Sequence, residues 1–73
     1  MQSFRIEPGV PCEICKQNDR QHWRPYQTTK LNCFSEPVSR SRISVTFRSG
    51  RWLIRVKIRD VKQFNGYRWI AMK

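Results

Sequence analysis

Histidine occurs once in these 73 residues, at position 22, and there are only five acidic residues, scattered along the chain. Three glycines are present, and none belongs to a glycine-rich phosphate loop. Catalysis needs a base and a nucleophile held in a pocket, or a metal with an open position. So small a stock of reactive groups leaves no enzyme to be expected here. No apolar run is long enough to span a bilayer, and an odd number of cysteines disfavours a membrane-active cationic hairpin, so no membrane partner is expected. The first residues, Met1 to Cys15, lack the basic start and apolar centre of a signal peptide. Three cysteines make an odd number, which argues against a complete disulfide framework and fits a reducing compartment. Together these shortages point to a cytoplasmic, non-enzymatic protein.

What the chain has in excess is positive charge. Its formal net charge is +10. Residues 1–39 hold five basic and four acidic residues, whereas residues 40–73 hold ten basic and one acidic. So uneven a placement calls for a polyanion: nucleic acid, an acidic protein surface or an anionic membrane. Most of the cations are arginine, which favours planar contact with phosphate, carboxylate or aromatic faces. At this length one domain is expected over 1–73, burying only roughly 60% of the surface of its unfolded chain.

The firmest pattern runs from Arg40 to Arg59, where apolar and basic residues alternate. Period two predicts strands. A turn at Ser49-Gly50 would put Ile43, Val45, Phe47, Trp52, Ile54, Val56 and Ile58 on one face. The opposite face would carry Arg40, Arg42, Arg48, Arg51, Arg55, Lys57 and Arg59, the expected partner- or nucleic-acid-binding set. Asn65-Gly66 is a stronger hairpin signal. With a turn there, Phe64, Tyr67, Trp69 and Ala71 join the apolar face, and Asp60 and Lys62 interrupt it, at the sheet's far end or at a bulge or helical turn. The architecture expected is small and mainly β (β or α+β): a three- to four-stranded antiparallel meander with its central strand over 51–64. Residues 1–39 would cover it as an irregular segment, with residues 2–7 as a possible fourth strand and a helical turn or metal knuckle after Pro11.

This register sets Arg48 against Arg51, Arg42 against Lys57 and Arg40 against Arg59. Like charges directly across a sheet cost roughly 0.2–1 kcal/mol each, which makes sense if an anion lies over them. With the aromatics on the other face, phosphate tracking along DNA or RNA is favoured over base readout.

Cys12, Cys15, His22 and Cys33 form a second constellation. Cys-x-x-Cys is half of a zinc ribbon, and one more thiolate and an imidazole would complete a closed structural zinc site. The spacing matches no standard finger, and the alternative is three reduced thiols and a loop histidine.

In its length and in its compact, cytoplasmic, strongly basic character, the whole chain resembles small phage-encoded regulators of bacterial RNA polymerase, such as the short transcription regulators of Xanthomonas phages. The resemblance rests on no motif and transfers no residue. It implies a non-enzymatic transcription regulator in the host cytoplasm that docks on the large subunits of host RNA polymerase, inhibits initiation and allows terminator read-through. The alternative is a stand-alone, sequence-nonspecific DNA- or RNA-binding module, with or without a stabilising zinc.

Overall fold

The computed structural model describes residues 3–72. Within them the chain is small and mainly β, built from strands β1 (Ser3–Ile6), β2 (Pro11–Lys16), β3 (Arg24–Gln27), β4 (Asn32–Phe34), β5 (Ser39–Arg40), β6 (Ser44–Ser49), β7 (Trp52–Lys57), β8 (Val61–Phe64) and β9 (Trp69–Ala71). They form two antiparallel sheets rather than one meander. Sheet A has the order β4-β1-β8-β9, and sheet B the order β3-β2-β7-β6-β5. Residues 23–38, expected as irregular cover, supply an edge strand to each sheet. Pro25 suits β3, because an edge strand can lose one ladder donor. The segment after Pro11 is strand, not a helical turn. The strand expected over 2–7 forms over Ser3–Ile6, in sheet A, and Gln2 lies outside the described residues.

The expected central strand breaks in the middle. A 3-10 turn over Ile58–Asp60 ends β7 and sends β8 into the other sheet. The sequence carries the cause. Ile54, Val56 and Ile58 keep one parity, and Val61 has the other, so a continuous strand would turn one of them outward. The turn absorbs the mismatch, and both Val56 and Val61 are buried.

The inner faces of the two sheets share one core. Sheet A contributes Phe4, Ile6 and Val61, and sheet B contributes Cys12, Val45, Phe47, Ile54 and Val56. Phe47 sits at its centre, stacked on Phe34 at 4.4 Å and tilted against Phe4 at 5.7 Å between ring centroids. Burying such a side chain is worth roughly 1.5–3 kcal/mol.

Where the chain crosses between sheets, Thr28 pins the passage. Its Oγ1 donates to the Glu7 carbonyl oxygen at 2.8 Å, and its own carbonyl accepts from Gly9 N–H at 2.8 Å. Thr28 is buried, and these bonds offset the cost of burying its hydroxyl.

Both hairpin registers differ from the sequence expectation by two residues. Ser49 pairs with Trp52 around Gly50-Arg51, and Phe64 pairs with Trp69 around a four-residue loop. A shift of two preserves the faces and changes every partner. Arg48 now lies opposite Leu53, Thr46 opposite Arg55 and Ser44 opposite Lys57. Arg40 pairs with Val45. The arginine-on-arginine pairs are therefore not formed, and the inference that an anion must relieve them falls.

Candidate nucleic-acid interface

Six of the seven expected cations fall into two groups at the two ends of the β6–β7 hairpin. At the turn end, Arg48 Nε donates to the Gly50 carbonyl at 3.3 Å and Arg51 occupies the turn itself. Lys16 lies nearby, with Nζ 6.0 Å from the Trp52 ring centroid. Arg40 belongs to neither group: on the short edge strand β5 it pairs with Val45, which puts it on that residue's face of the sheet and not on the face expected for it. At the opposite end, Arg42, Arg55, Lys57 and Arg59 line one open groove of about 790 Å3.

Local chemistry builds this groove. Between β5 and β6 the Ser41 hydroxyl oxygen accepts from the N–H groups of Ile43 (3.3 Å) and Ser44 (3.1 Å), a bend of the kind serine favours. The bend lifts Arg42 and Ile43 to its tip, where Ile43 is 75% exposed. Ile58 N–H then donates to the Ile43 carbonyl at 2.9 Å, which ties the 3-10 turn to the bend. That bond brings Arg59, just past the strand end, to the groove that Arg42 also lines.

Arg55 differs from its neighbours. Its Nε and Nη2 both approach Glu13 Oε1, at 2.9 and 2.8 Å, and its guanidinium lies over the Trp23 ring, 4.0 Å from the centroid. It is half-buried and holds two elements together. Among the described residues, Arg55 is the one member of the seven with a carboxylate partner. Around it, the outer face of sheet B is not purely charged: Cys15, Thr46 and Leu53 are buried there.

Cys12, Cys15, His22 and Cys33 do not converge, and no group of three or more possible metal ligands exists among the described residues. The zinc constellation is corrected by a simple fact of geometry. Cys12 and Cys15 are three apart on a strand, so they point to opposite faces of sheet B, one into the core and one out. Cys33 is exposed on β4 of the other sheet, and His22 is exposed with Nδ1 2.7 Å from Asp19 Oδ1. Burial pushes the Cys12 thiol above its ordinary range, helped by the Glu13 charge. Burial also raises Cys15, partly opposed by Arg20 and Arg55.

A second surface was absent from the sequence expectation. Phe64 and Trp69, assigned there to the buried face, point outward from sheet A and pack together at 5.4 Å between centroids. The Arg5 guanidinium lies 4.5 Å from the Trp69 ring centroid, and Lys62 pairs across the ladder from Arg5. The alternation of Phe4 and Ile6 with Arg5 was a usable signal for Arg5. For β9 the expected register carried Trp69 to the buried face, because it assumed one continuous strand over 51–64. No helix among the described residues is long and apolar enough to cross a membrane. No known protein family, curated protein or solved structure matches the chain.

Proposed function

We propose that this chain is a non-enzymatic, cytoplasmic nucleic-acid-binding module that grips the sugar–phosphate backbone with little base specificity at its cationic groove. The observation that carries this reading is the gathering of Arg42, Lys57 and Arg59 around one groove whose nearby carboxylate, Glu13, is already engaged by Arg55. Exposed cations left without carboxylates raise the local potential and concentrate a polyanion. Phosphate contacts position a strand without reading its sequence.

Binding of a labelled oligonucleotide, followed by anisotropy across a salt series, tests the reading. Log K should fall linearly with log salt, by roughly 0.7–0.9 per phosphate contacted. The double variant Arg42→Glu/Lys57→Glu should flatten that slope and weaken binding while leaving the circular-dichroism spectrum unchanged. Equal affinity and slope in the variant would reject the groove.

A polymerase-docking transcription regulator is the second reading, favoured by the apolar Ile43 at the groove's rim. It requires that RNA polymerase large subunits be retained from bacterial lysate after nuclease treatment. Loss of every partner on nuclease treatment would remove it.

A further inference from the structure

The outer face of sheet A has the composition of a base-stacking platform. Phe64, 38% exposed, packs on Trp69 at the β8–β9 end, and Tyr67, 93% exposed, stands on the loop that joins these two strands. A tyrosine ring left almost entirely in water is unusual for a residue that has an apolar body to bury. Tyr67 is nevertheless not on a loose loop. The Asn65 side-chain oxygen accepts from the N–H groups of Tyr67 (2.9 Å) and Arg68 (3.0 Å), and Asn65 N–H donates to the Arg68 carbonyl at 3.1 Å. Gly66 supplies the positive φ of 103° that closes the loop. The ring is thus presented to solvent by a braced turn.

Two cations accompany these aromatics along the chain. Lys62 lies on the same outward face of β8 as Phe64, and Arg68 is exposed beside Tyr67. Arg5 has a different part to play. The Glu7 carboxylate is 2.8 Å from its Nε, but off the N–H direction, so that Nε is a buried donor without a hydrogen bond. With its charge partly neutralised and its plane over Trp69, Arg5 holds the indole in place rather than gripping phosphate.

We propose that this face binds single-stranded nucleic acid, with bases stacked on Tyr67 and Phe64 and phosphates drawn to Lys62 and Arg68. The inference rests on the nucleic-acid reading above and names the form of the ligand. Duplex hides its bases from such rings, whereas every unpaired base offers a π-face, and an aromatic partner with adjacent cations is the usual solution for an unpaired strand. The net charge of +10 supplies the complementarity that an apolar or cationic partner would lack.

The test compares fluorescein-labelled dT12, rU12 and a 12-base-pair duplex, binding to the wild-type chain and to Tyr67→Ala, Tyr67→Phe and Phe64→Ala variants. Each altered side chain is exposed, so the fold is retained, and unfolding curves check this. Tyr67→Ala should weaken dT12 or rU12 about tenfold, as expected for the loss of one stacked base. Tyr67→Phe should restore affinity, since the ring and not the hydroxyl is needed, and duplex binding should be unaffected. Bound dT12 should also slow alkylation of Cys33, which lies opposite Arg5 on the same sheet. Unchanged single-strand affinity in both alanine variants, with the Arg42→Glu/Lys57→Glu effect intact, overturns the platform alone. Absence of binding to all three probes overturns the nucleic-acid reading with it. Tyr67-dependent binding of polyglutamate in place of the oligonucleotides would assign the face to an acidic protein segment and overturn the proposal.

Discussion

The three cysteines show how much a single position depends on its face. Cys33 is open to solvent, whereas Cys12 and Cys15 are buried on opposite sides of one strand. Native protein should therefore lose one thiol rapidly to iodoacetamide and the other two only on unfolding, as counted by mass spectrometry. Three fast thiols would contradict the strand assignment of 11–16. The same burial has a pH consequence. Both buried thiols are raised above the ordinary thiol range of roughly 8.5, so the folded chain holds protons that the unfolded chain releases. Their contribution is complete below the unfolded value and declines as pH rises through and beyond it. Urea midpoints should fall as pH rises above about 8.5, and a Cys12→Ala/Cys15→Ala variant should show a shallower fall. The pair also explains why the zinc expectation failed. Sequence spacing shows two thiols close along the chain, but only the strand's period separates them across the sheet.

At the level of elements, turns carry more of the site than strands do. The Ser41 bend presents Arg42, and the Asn65 loop presents Tyr67; each uses a side-chain oxygen to accept two backbone N–H groups. Gly66 is needed by conformation alone. Its φ is 103°, and a Cβ added there would meet nothing within 4 Å. Gly66→Ala should cost about 1–3 kcal/mol, from backbone strain and not from a clash. Urea denaturation would measure it, and a cost near zero would show that the loop relaxes freely. Both hairpins were legible in the sequence as hairpins, because alternation and Gly-containing turns mark them. Their registers were not, since Ser49-Gly50 and Gly50-Arg51 are equally acceptable loops, and both keep the same residues inside. The choice fell to cross-strand packing, which sets Phe47 against Ile54 and Val45 against Val56.

For the whole molecule, the halves are interdependent. Residues 40–73 place β6–β7 and β8–β9 in different sheets, and their shared core is completed by Phe4, Ile6 and Cys12. A fragment of residues 40–73 should therefore show a collapsed amide-proton spectrum, while the full chain shows dispersed resonances. A well-dispersed fragment would contradict the two-sheet core. Phe47→Ala should cost about 3–5 kcal/mol. For a chain of this size the total stability is roughly 4–11 kcal/mol, so that variant should lie near the edge of folding in urea. Composition and alternation alone established the β class, the strand content of residues 44–57 and the cationic bias of the second half. These are local properties: period two and charge are written residue by residue. The position of β8 depended on a parity change between Ile58 and Val61, which has a meaning only once a second sheet exists to receive Val61. That transfer turned Phe64 and Trp69 outward beside Arg5 and Lys62, groups brought together from opposite ends of the chain. Burial is settled by what packs on the other side, and no local pattern contains its own partner.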